Sequence, residues 1–215
     1  MKYFSVDIET TSDDPETGQI LQVAVVFEDT EKPLPIGELP FISFIINHRI
    51  FQGDAYCLSM NNWIFNMLAD HQRRPDLPVY FPSEAAQMMF AFMYNCLNPD
   101  NPLRQLTINI AGKNFANFDF NFLKKLPGWK HSFGSHDTLN LKEPICHRFI
   151  DPAILYVDWT KDNCLPSFDE CLKRAGIGYG VKHNAVDDAR DIIKLIRRHR
   201  KHEAISKTED EANNG

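Results

Sequence analysis

The sequence predicts an α/β fold: a mixed five-stranded sheet, three antiparallel strands and then parallel ones, with helices on both faces. Three observations carry this reading. Residues 3–8, 20–28 and 41–46 are short runs rich in β-branched and aromatic residues, separated by polar or Pro-containing turns. Such short connections join strands most simply as an antiparallel meander. Beyond residue 54 helical spacing takes over, interrupted by further strand-like segments, which calls for a mixed sheet covered on both sides.

Each element has its local reason. YFSVDI (3–8) opens the sheet, and Thr10 to Gly18 is polar and turn-forming. ILQVAVVFE (20–28) reads as a mostly buried strand, and the Pro and Gly residues between Pro33 and Pro40 lead into FISFII (41–46). The stretch 58–69 has Met60, Trp63, Ile64 and Met67 at helical spacing. Ser83 is the expected N-cap of the next helix, which the Asn98–Pro102 run ends. LTINIAG (106–112) alternates as a fourth strand, with a short helix at 118–126 after it. Residues 148–156 read as strand into helix, and Ser167 caps a helix that Gly176 stops. After the Gly-rich loop 176–180, the last helix spans about 185–201, with Ala185, Ala189, Ile192, Ile193 and Ile196 as its apolar face. No internal repeat or linker interrupts the chain. The expected organisation is one domain over 1–202 with a helical insertion at about 54–97, then a polar, flexible tail at 203–215.

Composition narrows the class. With 215 residues, 43% hydrophobic and 24% charged, the chain is an ordinary globular one. Its five cysteines (57, 96, 146, 164 and 171) are odd in number and lack C-x-x-C spacing, so a disulfide framework or a zinc site is not expected. Reduced thiols fit a cytoplasmic protein. The start MKYFSVDIET enters a strand at once and is not read as a signal peptide, and no apolar run is long enough for a membrane span. Net charge is −6, but unevenly spread: residues 1–103 hold 5 Lys and Arg against 14 Asp and Glu, whereas residues 104–202 hold 17 against 11. The basic excess therefore lies in one stretch, where a polyanion is best held.

Three separated segments carry candidate chemistry. Asp7 and Glu9 end the first strand, and strand period two puts both on one face, away from Ile8. Asp119 stands near the start of a short helix, between Phe118 and Phe120. His183 lies in the loop before the last helix, and Asp188 in that helix's first turns, with Asp187 and Asp191 nearby. Taken singly, each has an ordinary explanation: an edge strand facing water, an acid at a helix start, a surface histidine beside an Asn184 cap. Together they put acids at the mouths of successive strands and helices, where ligands of open α/β sheets gather. Four carboxylates suit two divalent cations, Mg²⁺ or Mn²⁺, clamping a phosphate, with a histidine outside the metal shell as base. The aromatic residues Trp63, Phe65, Phe90, Phe92 and Tyr94 could stack on unpaired bases, but a helical core stripe explains them more simply.

Asp7-Ile8-Glu9-Thr10-Thr11, Asp119 in NFANFD, and His183 with Asp188 in H-x(4)-D resemble, in order, the motifs of the DEDDh group of 3′–5′ exonucleases, within the DnaQ-like superfamily. The resemblance spans residues 7 to 188. It implies a ribonuclease-H-like fold and metal-dependent release of 5′-mononucleotides from the 3′ end of single-stranded DNA or RNA. It also implies roles: Asp7 bridging two metals, Glu9 and Asp188 completing the first site, Asp119 holding the second, and His183 as general base. Glu9 would also meet the terminal 3′-hydroxyl, Thr10 the terminal nucleotide, and Phe118 would help line that pocket. Two positions depart from the family. Many members follow Thr-Thr with Gly and then a Leu or Met wedge, where this chain has Ser12 and Asp13. Many carry Glu in the second strand, where this chain has Gln22, a change with no chemical consequence legible in the sequence. Two other readings compete: a non-catalytic nucleic-acid-binding module, which the clustered acids disfavour, and a metal-dependent endonuclease or nucleotide hydrolase of the same fold.

Overall fold

The computed structural model describes residues 1–71, 78–98, 107–130, 144–178 and 183–213, with side chains through Lys201. Five strands form one sheet: β1 (Lys2–Thr10), β2 (Ile20–Asp29), β3 (Phe41–Ile46), β4 (Val79–Tyr80) and β5 (Ile110–Ala111), in spatial order β4-β3-β2-β1-β5. The first three pair antiparallel, as the meander requires, while β4 and β5 join parallel at the two outer positions. This is the expected mixed sheet. The fourth expected strand is shorter than its pattern: Leu106 lies outside the described residues, Ile108 makes only an isolated bridge to Ile145, and the ladder with β1 covers Ile110 and Ala111. Residues 148–156 give a single parallel bridge, Ile150 to Ala111, and then a 3₁₀ turn, Pro152–Leu155, capped by the Asp151 carboxylate. The proline there fixes φ at the turn's first position but denies it a ladder donor.

Six helices cover the sheet among the described residues: α1 (Ala55–Met60), α2 (Asn62–His71), α3 (Pro82–Leu97), α4 (Asp119–Leu123), α5 (Phe168–Arg174) and α6 (Ala185–Asn213). Period-two alternation along β1 sorts them by face. Phe4, Val6 and Ile8 enter the core built with α3 and α4 (Ala85, Met89, Phe90, Met93, Phe122), whereas Tyr3 enters the opposite core with Val26 and the α6 residues Ala189, Ile192, Ile193 and Ile196. The α6 stripe is the one its sequence spacing predicts, and each fully buried isoleucine contributes about 1.5–3 kcal/mol. Phe90, Phe92 and Tyr94 pack on the first core and Trp63 and Phe65 on a smaller cluster with Leu21, Ile45 and Ile64, so the core reading of these aromatics holds.

Several boundaries differ from expectation for physical reasons. The stretch predicted as one helix over 58–69 is two helices, starting at Ala55 behind the Asp54 cap and broken at Asn61, whose side chain is drawn off to the backbone of β1. Helix α3 is capped at Phe81 and not at Ser83: Pro82 supplies the fixed φ favoured at the first helical position, and the Glu84 carboxylate accepts from the Phe81 N–H. The helix ends at Leu97, with Asn98 as its C-cap donating to the Tyr94 carbonyl, where the Asn98–Pro102 run was expected to end it; residues 99–102 lie outside the described residues. Ser167 caps α5 as expected. Gly176, at φ 66°, ends it in a Schellman motif, with Gly176 N–H to Lys173 C=O and Ile177 N–H to Leu172 C=O. Helix α6 runs on to Asn213 where a flexible tail was expected; residues 203–213 hold no Pro or Gly to stop it. No helix among the described residues is long and apolar enough to cross a membrane.

Candidate metal centre

Glu9, Asp119 and Asp188 are buried, at 7%, 3% and 3% exposure, and Asp7 is partly buried, in surroundings where an ionised carboxylate is costly. The fold brings them together from three directions. Asp7 and Glu9 sit on the β1 face that meets α6, the reverse of the face carrying Ile8. Asp188 stands one turn into α6, beside the buried Ala185 and Ala189. Carboxylate oxygens of Asp7, Glu9 and Asp188 all lie within 4.8 Å of one another. Asp119 comes from the other side. Strand β5 pairs with β1 only at Phe4 and Ser5, which frees the edge of β1 beyond Ser5; Asp119, the first residue of α4, uses it by accepting a hydrogen bond from the Ile8 N–H.

These acids raise one another's proton affinity. Burial pushes Asp7 well above the usual carboxylate range, and the charges of Asp119, Asp188 and Glu9 push it further. Burial, then the Asp188 charge, lift Glu9 to about 7 against a hydrogen bond from Asn61. Asp119 rises to about 8 through burial, with the Glu9 charge adding to it and its own and the Ile8 N–H opposing. Among the described residues no lysine or arginine forms an ion pair with Asp7, Glu9 or Asp119. Two acids outside this cluster pair with cations: Asp191 with Lys194, and Glu28 with Arg197 at 2.6 Å. Hard oxygen donors clustered in this way fit a divalent cation such as Mg²⁺ or Mn²⁺.

His183 is not among the residues whose ligand atoms lie within 4.8 Å of one another. It is exposed, with φ 50°, and directly precedes the Asn184 cap, whose side chain accepts from the Val186 N–H. The left-handed backbone turns the chain sharply just before α6. Thr10 is buried at the β1 bulge and its hydroxyl donates to the Ser12 carbonyl at 2.8 Å. Phe118 is half-buried, its ring 5.2 Å from that of Phe122.

Two polar residues that the sequence did not single out as part of the site prove to surround it. Asn61 is 1% exposed, donates to the Thr10 carbonyl at 3.1 Å and hydrogen-bonds the Glu9 carboxylate, while its own Oδ1 has no partner among the described residues. The signal in the sequence was weak: an Asn-Asn pair within an apolar helical stretch. Gln22 is the cross-strand partner of Glu9, and its Oε1 accepts from the Ala185 N–H at 3.1 Å. The segment before α1 is also stitched to the end of β1, through Thr11 Oγ1 to the Gln52 carbonyl and the Asp54 N–H to the Thr11 carbonyl.

Solved structures similar to this chain include those of exonuclease I. The enzyme from Methylocaldum szegediense aligns at a TM-score of 0.60 and 16% identity, covering 91% of this chain and 40% of the other. The zinc-bound E. coli exonuclease I complex with single-stranded DNA gives 0.63 and 14%, covering 94% and 40%. The E. coli enzyme with a dT13 oligonucleotide gives 0.59 and 14%, covering 94% and 42%. The chain thus spans about two fifths of these proteins, and what it shares with them is the ribonuclease-H-like fold of a mixed sheet flanked by helices. No family model matches the sequence, and no curated protein matches it.

Proposed function

We propose that this protein is a metal-dependent 3′–5′ exonuclease that hydrolyses single-stranded nucleic acid to 5′-mononucleotides. The observation that carries the reading is the convergence of Asp7, Glu9 and Asp188, with Asp119 close enough to perturb Asp7, from segments far apart in the chain. Oligonucleotide complexes of exonuclease I, one of them zinc-bound, support both a single-stranded partner and a divalent ion.

In this reading Asp7, Glu9, Asp119 and Asp188 would hold two divalent cations, Asp7 with Glu9 and Asp188 serving one and Asp7 with Asp119 the other. Bound there, the cations would neutralise the scissile phosphate and stabilise the attacking and leaving oxygens. The chain's own residues do the rest. Glu9 accepts from the terminal 3′-hydroxyl, which fixes the polarity. Thr10, through its backbone, and Phe118 orient the last nucleotide. His183, exposed and outside the cluster, takes the proton of the attacking water at its ring nitrogen. Residues 1–202 form the catalytic domain.

The test is turnover by EDTA-stripped protein given Mg²⁺ or Mn²⁺, on 5′-labelled linear and on circular single strands of DNA and RNA. Stepwise shortening of a linear strand, none of a circle and none in EDTA is the expected pattern. Cleavage of circles would reassign the site to an endonuclease. Tight binding in EDTA without turnover after metal addition would make the protein a binding module.

A further inference from the structure

We propose that Gln22 is a positioning residue: it tethers the start of α6 to the sheet and thereby holds Asp188 against Asp7 and Glu9. The inference rests on the exonuclease reading of that site.

Gln22 lies directly across from Glu9 in the β1–β2 ladder, so both side chains leave the sheet on the α6 face. It is 5% exposed, which makes each of its polar atoms costly to leave unpaired. Both ends of its amide are used. Oε1 accepts from the Ala185 N–H at 3.1 Å, and Nε2 donates to Ser43 Oγ at 3.0 Å on β3. Ala185 is the first residue of α6, fully buried and three positions before Asp188. The first N–H groups of a helix have no partner within it. At this end the next one, of Val186, is capped by Asn184, a bond local to the helix start that does not reach the sheet. The Gln22 bond therefore crosses from the strand neighbouring β1 to the very turn that carries Asp188.

An amide is suited to this place. It offers the acceptor that Ala185 needs and the donor that Ser43 takes, and it adds no charge beside carboxylates already crowded together. Side chains that orient metal-binding groups without touching the metal typically govern affinity by about 10- to 100-fold. A displacement on the order of 1 Å in such a constellation is enough for that.

The experiment measures Mn²⁺ binding to EDTA-stripped protein by calorimetry, kcat and KM on 5′-labelled oligo-dT, and Tm, for the wild type, Gln22→Met and Gln22→Glu. Gln22→Met keeps the volume and loses the tether. It should bind Mn²⁺ about 10- to 100-fold more weakly and lose a similar factor in kcat, with KM for the oligonucleotide little changed. Gln22→Glu keeps the acceptor for Ala185 and should bind Mn²⁺ at least nearly as well as the wild type. Ile46→Val, a core change in β3, serves as the control: it lowers Tm and leaves Mn²⁺ affinity unchanged. Should Gln22→Met not fold, Gln22→Asn, one methylene short of Ala185, carries the same expectation. Wild-type Mn²⁺ affinity in the tetherless variant, or equal loss in Gln22→Glu, overturns the proposal while leaving the exonuclease reading standing. Absence of Mn²⁺ binding by the wild type overturns both.

Discussion

Asp7 is the side chain on which the other acids press hardest, since burial and three neighbouring charges all favour its protonated form. In metal-free protein, Asp7→Asn removes a carboxyl group whose ionisation burial and the neighbouring acids disfavour. We expect it to raise the metal-free Tm at pH 8 while lowering turnover by about 10³-fold or more, the scale of about 4 kcal/mol of lost transition-state stabilisation. Thermal scans in EDTA beside an oligonucleotide assay check both halves, and a variant less stable than the wild type would contradict the account of the cluster. His183 predicts differently. It stands outside the carboxylate set, so His183→Ala should slow turnover by about 10²- to 10⁴-fold and leave Mn²⁺ affinity intact. Loss of metal binding with activity would count against its role as base.

At the scale of elements, α6 matters because it both closes one face of the sheet and delivers Asp188. Its grip includes a buried ion pair: the Glu28 carboxylate on β2, 1% exposed, receives two hydrogen bonds from Arg197, at 3.0 and 2.6 Å. Removing one partner strands the other charge, so Arg197→Met should cost about 3–5 kcal/mol, measured by denaturant unfolding. The double variant Glu28→Gln with Arg197→Met should regain most of that loss; equal instability of single and double variants would mean the pair is not what holds the helix. The register of α6 was legible beforehand, because Ala185, Ala189, Ile192, Ile193 and Ile196 recur at helical spacing and all are buried. The break at Asn61 was not. It follows from the side chain's preference for the Thr10 carbonyl over helix continuity, a contact spanning 51 positions.

For the whole molecule, the cluster makes stability depend on pH and on cations. The folded state keeps protons on Glu9 up to about pH 7 and on Asp119 up to about pH 8, while the ordinary values are 4.5 and 3.8. Across that window the folded chain binds more protons than the unfolded one, so stability in EDTA should fall as pH rises from about 4.5 to 8. A cation that binds only the folded state opposes this, by about 2.7 kcal/mol at a hundredfold excess over Kd. The rise in Tm caused by Mn²⁺ should therefore be larger at pH 8 than at pH 5.5, and a pH-independent rise would argue against ion binding by these carboxylates.

The sequence by itself determined the three-stranded meander, the inward face of α6, the pairing of Asp7 with Glu9 on one side of β1, and the motif order that points to a nuclease fold. Each is set by local periodicity or by residue type at short spacing, and a chain read in order displays those directly. Tertiary structure alone decided that Asp188 reaches Glu9, that Asp119 binds the free edge of β1, and that Asn61 and Gln22 fasten the surroundings. Those contacts join residues that burial, and not adjacency, brings together, and a lone Asn or Gln carries no mark of the backbone group it will satisfy until the sheet and helices have packed.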